Sequence, residues 1–408
     1  MRHDAIDEPL GTLARRIFAA QRRSAHRQIH SHLKKNLQVR FRLLLDLARI
    51  QYFARRHASS VRRQRGLSIP HQLRQLLHLA LSLRVDPATY YAHHLYDAPL
   101  GLGETAHYLG RNEMKNGLYS LMNALRRDDP HGDLSLSDKV AFTAACRDAG
   151  LPVPPILAVA RKGRWDIDPP EEAFAGDLFV KPVRGRGAVA TRSYRRLDNG
   201  RYRSADGAVT TRAALLARIA AESEHRPLML MRKFANHPEI ADLALQSLIT
   251  FRVFTCHDAA GEPVVTHAML RTLSKLEPEW RTEEEFAAAI DLGSGRLQAM
   301  CGDANMAPDA WWDRHPKTGA PVSGRVIAHW PDLAALAIRA HRTFSGRMIV
   351  GWDLALTPEG PMVIEGNSDP DTHFLQRVHR QMIGRSPHAP LLRRHLRAAE
   401  SLLSTKPR

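Results

Sequence analysis

The sequence predicts an α+β protein with a basic helical N-terminal region. Apolar residues spaced three and four apart mark the first part of the chain as helical, and short strands alternating with helices fill the rest. The 408 residues leave room for two or three domains and a sizeable core. With 44% apolar and 25% charged residues, the composition is that of a folded chain.

Residues 11 to 57 read as helix, with Leu13, Ile17, Ile29, Leu33, Leu37, Phe41, Leu44, Leu45 and Ala48 mostly three or four apart. The net charge of +17 is concentrated here: between Gly11 and Arg84 seventeen Lys or Arg accompany a single acid, Asp46. Such a block suits an anionic partner. Two readings stay open. The helix packs on its own protein and turns a solvated basic face outward, or residues 11–66 lie on an anionic membrane or glycan. No nucleic-acid motif accompanies the charge, so no nucleic-acid partner is expected. RRQRG, Arg62 to Gly66, reads as a linker, and Pro70 to Leu83 as a further helix. RRDDPHGD, Arg126 to Asp133, is a turn-rich loop that marks a domain boundary. The expected division is a basic helical segment (1–66), a second helical region (67–135) and two α+β units (136–230 and 231–400).

Cys146, Cys256 and Cys301 stand far apart with no C-x-x-C spacing, which argues against a disulfide framework and a zinc site. MRHDAIDEPLG lacks the pattern of a signal peptide, and no apolar run approaches the ~20 residues of a membrane span. A cytoplasmic protein is expected, peripheral at the inner membrane surface if the basic segment meets lipid.

Past the boundary, Ser137 precedes DKVAFTAACRDAG, a helix start with a glycine stop. In GDLFVKPVRGRGAVATRSYRR, Gly185-x-Gly187-x-x-Ala190 formally matches a dinucleotide fingerprint, which demands a following helix. AVATRSYRR is strand-like instead, and Asp198-Asn199-Gly200 signals a hairpin. The glycines therefore join two strands. Lys181 at the end of the first strand is either an exposed lysine or, with the glycine-loop amides, a phosphate holder. No G-x-x-x-x-G-K-[ST] occurs, so a P-loop is excluded. LMLMRKFANHPEIADL reads as an apolar strand and then a helix start at Asn236. SLITFRVFT places Arg252 in an alternating strand, where an inward guanidinium needs an anion, phosphate or carboxylate. Arg271 and Lys275 in HAMLRTLSK are candidates of the same kind.

GWDLALTPEGPMVIEGN, Gly351 to Asn367, reads as a hairpin closed by a three-residue loop, Pro358-Glu359-Gly360. That loop sets Asp353 opposite Glu365. Asp353, Glu365 and Asn367 then share one face, while Trp352, Leu354, Leu356, Met362 and Ile364 fill the other as core. Three oxygen ligands on one face suit a hard divalent cation. The alternative is two acids salt-bridged to arginines. His373 in SDPDTHF is a loop histidine, exposed or touching substrate.

The order of these signals resembles the ATP-grasp superfamily: Lys139 before a helix and Pro152 to Pro155, Lys181-Pro182 with its glycine loop, an apolar hinge, an arginine strand, then D…E-x-N on a hairpin. DKVAF…GLPVPP, NHPEIADL, TFRVFT, HPKTG, GWDLALTPEGP and IEGN are similar to its sugar-transfer-associated branch, over about Pro70 to Pro390. The resemblance implies an ATP-grasp fold, two α+β subdomains gripping ATP. It also implies that Lys139, Lys181, Gly185 and Gly187 hold the phosphates and that backbone at Met231, Arg232 and Lys233 meets adenine. Glu239 or Asp242 would reach the ribose, and Asp353, Glu365 and Asn367 would bind magnesium, with manganese as an alternative ion. Many carboxylate–amine ligases of the superfamily carry an acid at the hinge and an arginine two residues before the first metal aspartate. Met231 and Gly351 stand there instead, which leaves Arg252 or Arg271 to stabilise developing negative charge. The implied activity is an ATP- and Mg-dependent ligase that activates a small-molecule or sugar-linked carboxylate as an acylphosphate and joins it to an acceptor, in cell-surface sugar or polysaccharide modification. Phosphorylation of a hydroxyl is the alternative, as is a basic lipid- or glycan-binding protein with an inert nucleotide fold.

Overall fold

The computed structural model describes residues 8–28, 42–97, 101–166, 168–185, 190–245, 247–274, 281–302 and 310–404. Thirteen strands among them form two sheets in which every pairing is antiparallel. The first contains β1 (Ile156–Arg161), β2 (Arg164–Trp165), β3 (Leu178–Pro182), β4 (Arg192–Arg196), β5 (Tyr202–Ser204), β6 (Val209–Thr210) and β7 (Leu228–Arg232). Its order is β2-β1-β7-β3-β4-β5-β6. The second contains β8 (Thr250–His257), β9 (Pro263–Leu273), β10 (Glu285–Ile290), β11 (Leu297–Gly302), β12 (Ile349–Thr357) and β13 (Gly360–Asn367), in the order β11-β10-β9-β8-β12-β13.

Alternation sorts each strand's side chains between two faces. In the first sheet Leu228, Leu230, Leu178 and Val180 pack with Leu215 and Ile219 of the Arg212–Glu222 helix. Met229, Met231 and Phe179 face the other way, toward Val140. In the second sheet Phe251, Val253, Leu270, Phe286, Trp352 and Leu354 pack on Leu333, Leu336, Ala337 and Ala340 of the Trp330–Thr343 helix. The opposite face is apolar at one end, where Phe254, Cys256, Met269 and Ala287 meet Leu10, Leu13 and Ile17 of the Leu10–Gln28 helix. At the other end that face is polar, and the candidate site lies there. All three cysteines are buried thiols, none in a disulfide.

Several local expectations change. Leu13 and Ile17 are core, whereas Leu44, Leu45 and Ala48 of the Arg42–Arg65 helix are exposed; that helix buries Ile50, Ala54, Ala58 and Val61 instead. Ile29, Leu33, Leu37 and Phe41 lie outside the described residues. Arg62 to Arg65 form no linker: they complete the helix, and Gly66 at φ +71° turns the chain into the Ile69–Leu81 helix. The helix at Lys139–Asp148 is capped by Asp138, whose carboxylate accepts from Val140 and Ala141 N–H, rather than by Ser137. No helix starts at Asn236. Its amide is spent pinning the loop to the Ser247 carbonyl (3.1 Å) and the Ile249 N–H (2.8 Å).

Candidate active site

The hairpin reaches the expected pairing by a different route. Thr357 pairs with Gly360, so the loop is two residues, Pro358-Glu359, with Gly360 at φ +103°. That register would set Asp353 against Ile364 and turn Glu365 to the opposite face. A bulge between Asp353 and Leu354 absorbs Ile364, and Asp353 then lies opposite Glu365 and Gly351 opposite Asn367. The bulge also corrects the core face. Val363 packs with Trp352, Leu354 and Leu356, while Met362 pairs with Ala355 on the polar side and Ile364 is only half-buried.

On that polar side Arg252, Arg271, Glu285, Asp353, Glu365 and Asn367 form a row across five strands. Arg252 grips Asp353 with two parallel bonds, Nε to Oδ1 at 2.5 Å and Nη2 to Oδ2 at 2.8 Å. Arg271 Nη1 reaches the same Oδ1 at 3.2 Å, and its Nε donates to Glu285. Burial alone would raise the Asp353 carboxyl, but the Arg252 and Arg271 guanidiniums hold it below the ordinary range. Burial likewise weighs against the Arg271 charge, and Glu285 with Asp353 reverses that. The salt-bridge reading holds for Asp353, whereas among the described residues Glu365 forms no ion pair.

Lys181 belongs to the other sheet. It pairs with Met229 in β7, beside Phe179 and Met231, so its side chain lies on the face turned toward Val140 of the Lys139–Asp148 helix. Burial pushes its ammonium down to about 8, against the pull of Glu365 and Asp353 and with the repulsion of Lys139. Lys139 Nζ donates to the Gly185 carbonyl at 3.1 Å, tying the head of the glycine loop to the helix start. Gly185 has φ +138°, a conformation that favours glycine. Gly187 and Lys275 lie outside the described residues. The result is a two-sheet arrangement in which Lys181 feels the hairpin acids and Lys139 stands near Lys181.

Met231 is central, between Ile156 of β1 and Phe179 of β3, and buried. Arg232 pairs with Glu359 in the hairpin turn and stacks over Phe234, so it links the two sheets. The Lys233 N–H donates to the Asp177 carbonyl at 2.8 Å. Glu239 is clasped by the Ala328 N–H and by His329 Nδ1 (2.7 Å), and Asp242 by Arg325 at 2.8 and 2.5 Å. Nothing in the sequence pairs these residues, because more than eighty positions separate each acid from its partner. Glu285 did carry a signal, an acid at the head of the apolar run EFAAAI. His373 sits in the first turn of the Thr372–Val378 helix rather than in a loop, with Tyr108 Oη at 2.9 Å and His93 Nε2 at 3.4 Å from its Nδ1.

The oxygen donors fit a hard cation. Asn367 Nδ2 donates to the Gly351 carbonyl at 3.3 Å and to Asp353 Oδ2 at 3.5 Å, so its amide oxygen is the end left for an ion. Glu365 supplies a carboxylate. The four lone-pair sites of Asp353 are taken up by Arg252, Arg271 and Asn367. Releasing Arg271, which keeps Glu285, would free one of them.

A family model for sugar-transfer associated ATP-grasp proteins matches residues 126–385. The chain belongs to that family. The match begins at the predicted boundary loop and leaves the preceding helices outside it. Solved structures with similarity include VanG D-Ala:D-Ser ligase from Enterococcus faecalis, at 13% identity over 70% of each chain and TM-score 0.40. D-alanyl-alanine synthetase A from Vibrio cholerae O1 biovar eltor is 12% identical over 68% of each chain, TM-score 0.40. The ATP-grasp ligase PsnB complexed with minimal precursor is 19% identical over 66% of this chain, TM-score 0.36. The last likeness spans 62% of the PsnB chain, less than two thirds of its length. At these identities and TM-scores none of the three informs substrate or reaction. A search of curated proteins finds no match. No helix among the described residues is long and apolar enough to cross a membrane.

Proposed function

We propose that this ATP-grasp protein is an ATP- and Mg-dependent ligase that activates a carboxylate as an acylphosphate and passes it to an amine or other nucleophile, with a sugar or polysaccharide precursor as one partner. The observation that carries the reading is the opposition of Lys181, on the first sheet, to the hairpin acids Glu365 and Asp353 on the second, where Arg252 and Arg271 stand beside Asp353. Lys181, with Lys139 and the glycine loop, binds the ATP phosphates by charge-assisted hydrogen bonds. Glu365 and Asn367, joined by Asp353, hold the divalent ion. When bound, it neutralises the charge shared by the β- and γ-phosphates. Backbone at Met231 and Arg232 lines the adenine, and Glu239 or Asp242 lies toward the ribose.

In the first step a substrate carboxylate oxygen bonds to the γ-phosphorus, the bond from that phosphorus to the β-bridging oxygen breaks, and ADP leaves. In the second step the acceptor nitrogen bonds to the carbonyl carbon, the C–O bond to phosphate breaks, and the nitrogen gives up a proton. Negative charge grows on the carbonyl oxygen in that step. Arg271 is the donor best placed to meet it, because Glu285 keeps its guanidinium in the row when Asp353 turns to the ion.

Phosphoryl transfer to a hydroxyl is the second reading. It is favoured by Gly351, which stands where carboxylate–amine ligases of the superfamily carry arginine, and by the commitment of Arg252 to Asp353. The test incubates the protein with ATP, magnesium, cell-envelope precursors and hydroxylamine, beside Glu365→Gln. Hydroxamate formed by the native protein alone supports the ligase. ADP with a phosphorylated metabolite and no hydroxamate overturns it in favour of the kinase.

A further inference from the structure

The Arg42–Arg65 helix has two faces, and the fold uses one. Ile50, Ala54, Ala58 and Val61 pack into a cluster with Leu76, Leu79, Tyr90 and Tyr91. Counting at 100° per residue, the opposite face carries Leu44, Leu45, Ala48 and Tyr52 in its first half, then Arg55, Arg56, Arg62 and Arg63. Leu44 is 61% exposed and Tyr52 55%, with Leu45 also open to solvent. A large apolar side chain standing alone on a surface needs no explanation; three on one helical face are a patch. Among the described residues Arg55, Arg62 and Arg63 form no ion pair, and Arg56 only donates to Tyr52 Oη at 3.2 Å. Among the described residues the charge is therefore not neutralised. Leu77 and Leu81, on the helix that packs beside it, are exposed as well.

We propose that this face docks on an anionic lipid surface. Leu44, Leu45 and Tyr52 enter the headgroup–acyl boundary, and Arg55, Arg56, Arg62 and Arg63 meet lipid phosphates. An acidic glycan would use the arginines and leave the leucines without a role, and a neutral membrane would leave the arginines without one; only an anionic bilayer uses both halves of the face. Leu10, Leu13 and Ile17 of the Leu10–Gln28 helix do not share the role, because they belong to the core.

Flotation of the full chain with vesicles tests it. Native protein is expected to float with phosphatidylcholine–phosphatidylglycerol vesicles, to stay behind with pure phosphatidylcholine, and to be released by salt. Arg55→Glu/Arg56→Glu should weaken binding by more than ~10-fold, at about fivefold for each basic side chain near the surface. Leu44→Ser/Leu45→Ser/Tyr52→Ser should release the protein at lower salt. All five positions are exposed, so circular dichroism and melting should match native. Equal binding to neutral vesicles, no binding to anionic ones, or unchanged binding by both folded variants would overturn the proposal. So would a native dimer that the leucine variant converts to monomer, since the face would then be a self-interface. Binding to a soluble acidic glycan that survives the leucine variant, without vesicle binding, would overturn it too.

Discussion

Replacing Asp353 with alanine strands a guanidinium inside the protein. Arg252 is 9% exposed and Asp353 6%, and among the described residues Asp353 is the one carboxylate paired with Arg252. Removing one member of such a buried pair costs about 3–5 kcal/mol, because the remaining charge has lost both its water and its counter-ion. Arg271 keeps Glu285, so the loss falls on Arg252. Removing both members leaves nothing stranded. The Arg252→Met/Asp353→Leu double variant is therefore expected to sit within ~1–2 kcal/mol of native, well above the single variant. Urea unfolding of the three proteins measures this directly, provided the denaturant slope is unchanged. An Asp353→Ala protein within ~1 kcal/mol of native would refute the reasoning, since Arg252 would then be finding water that the packing denies it.

Glu365→Gln is the contrasting change. With no ion pair to lose among the described residues, it should stay within ~1 kcal/mol of native while lowering Mg-dependent ATP turnover on the order of 100-fold; equal loss of stability in the two variants would erase the distinction drawn between the two acids. Lys181 gives a pH signature, because burial lowers its ammonium from 10.5 to about 8. Between those values the folded protein binds fewer protons than the unfolded chain, so the unliganded protein gains stability as pH rises across the window. ATP binding uses the charged form, so kcat/KM for ATP should fall as pH rises through about 8, and Lys181→Met should lack that limb. A profile flat through pH 9 in the native protein would count against the assignment. Gly351→Ala would set a methyl 2.7 Å from Pro370 Cβ, and should cost about 1–3 kcal/mol in the same urea measurement.

Period and punctuation made most of the fold legible. Asp198-Asn199-Gly200 turned where its sequence said it would, with Gly200 at φ +74° between β4 and β5. The strands on either side of the glycine segment after Lys181, β3 and β4, pair antiparallel. The N-terminal stripe misled, because a 3.6-residue period records that apolar residues share a face and not what covers that face. Leu13 and Ile17 found the second sheet, while Leu44 and Leu45 are uncovered among the described residues. Asn236 misled for a related reason. Its side chain is as able to pin a loop as to cap a helix, and the choice depends on Ser247 and Ile249, more than ten residues away.

The hairpin shows how a right pairing came from a wrong loop. Three loop residues, or two loop residues and a bulge, give the same register beyond Ile364, and only the second leaves Val363 on the core side. What the sequence could not show was the neighbour across the sheet. Gly351 looked like a missing arginine, yet an added Cβ there would lie 3.4 Å from Arg252 Cδ as well as against Pro370. The stem of Arg252, one strand over, lies in contact with that Cβ position and carries its guanidinium to Asp353. A guanidinium from β8 therefore stands beside Gly351 of β12, committed to Asp353. A long side chain at 351 would crowd Arg252 as well as Pro370, so Gly351→Arg should displace Arg252 and lose activity rather than improve it. Activity equal to or above native in Gly351→Arg would mean that the two positions are independent, and that Arg252 fills no vacancy.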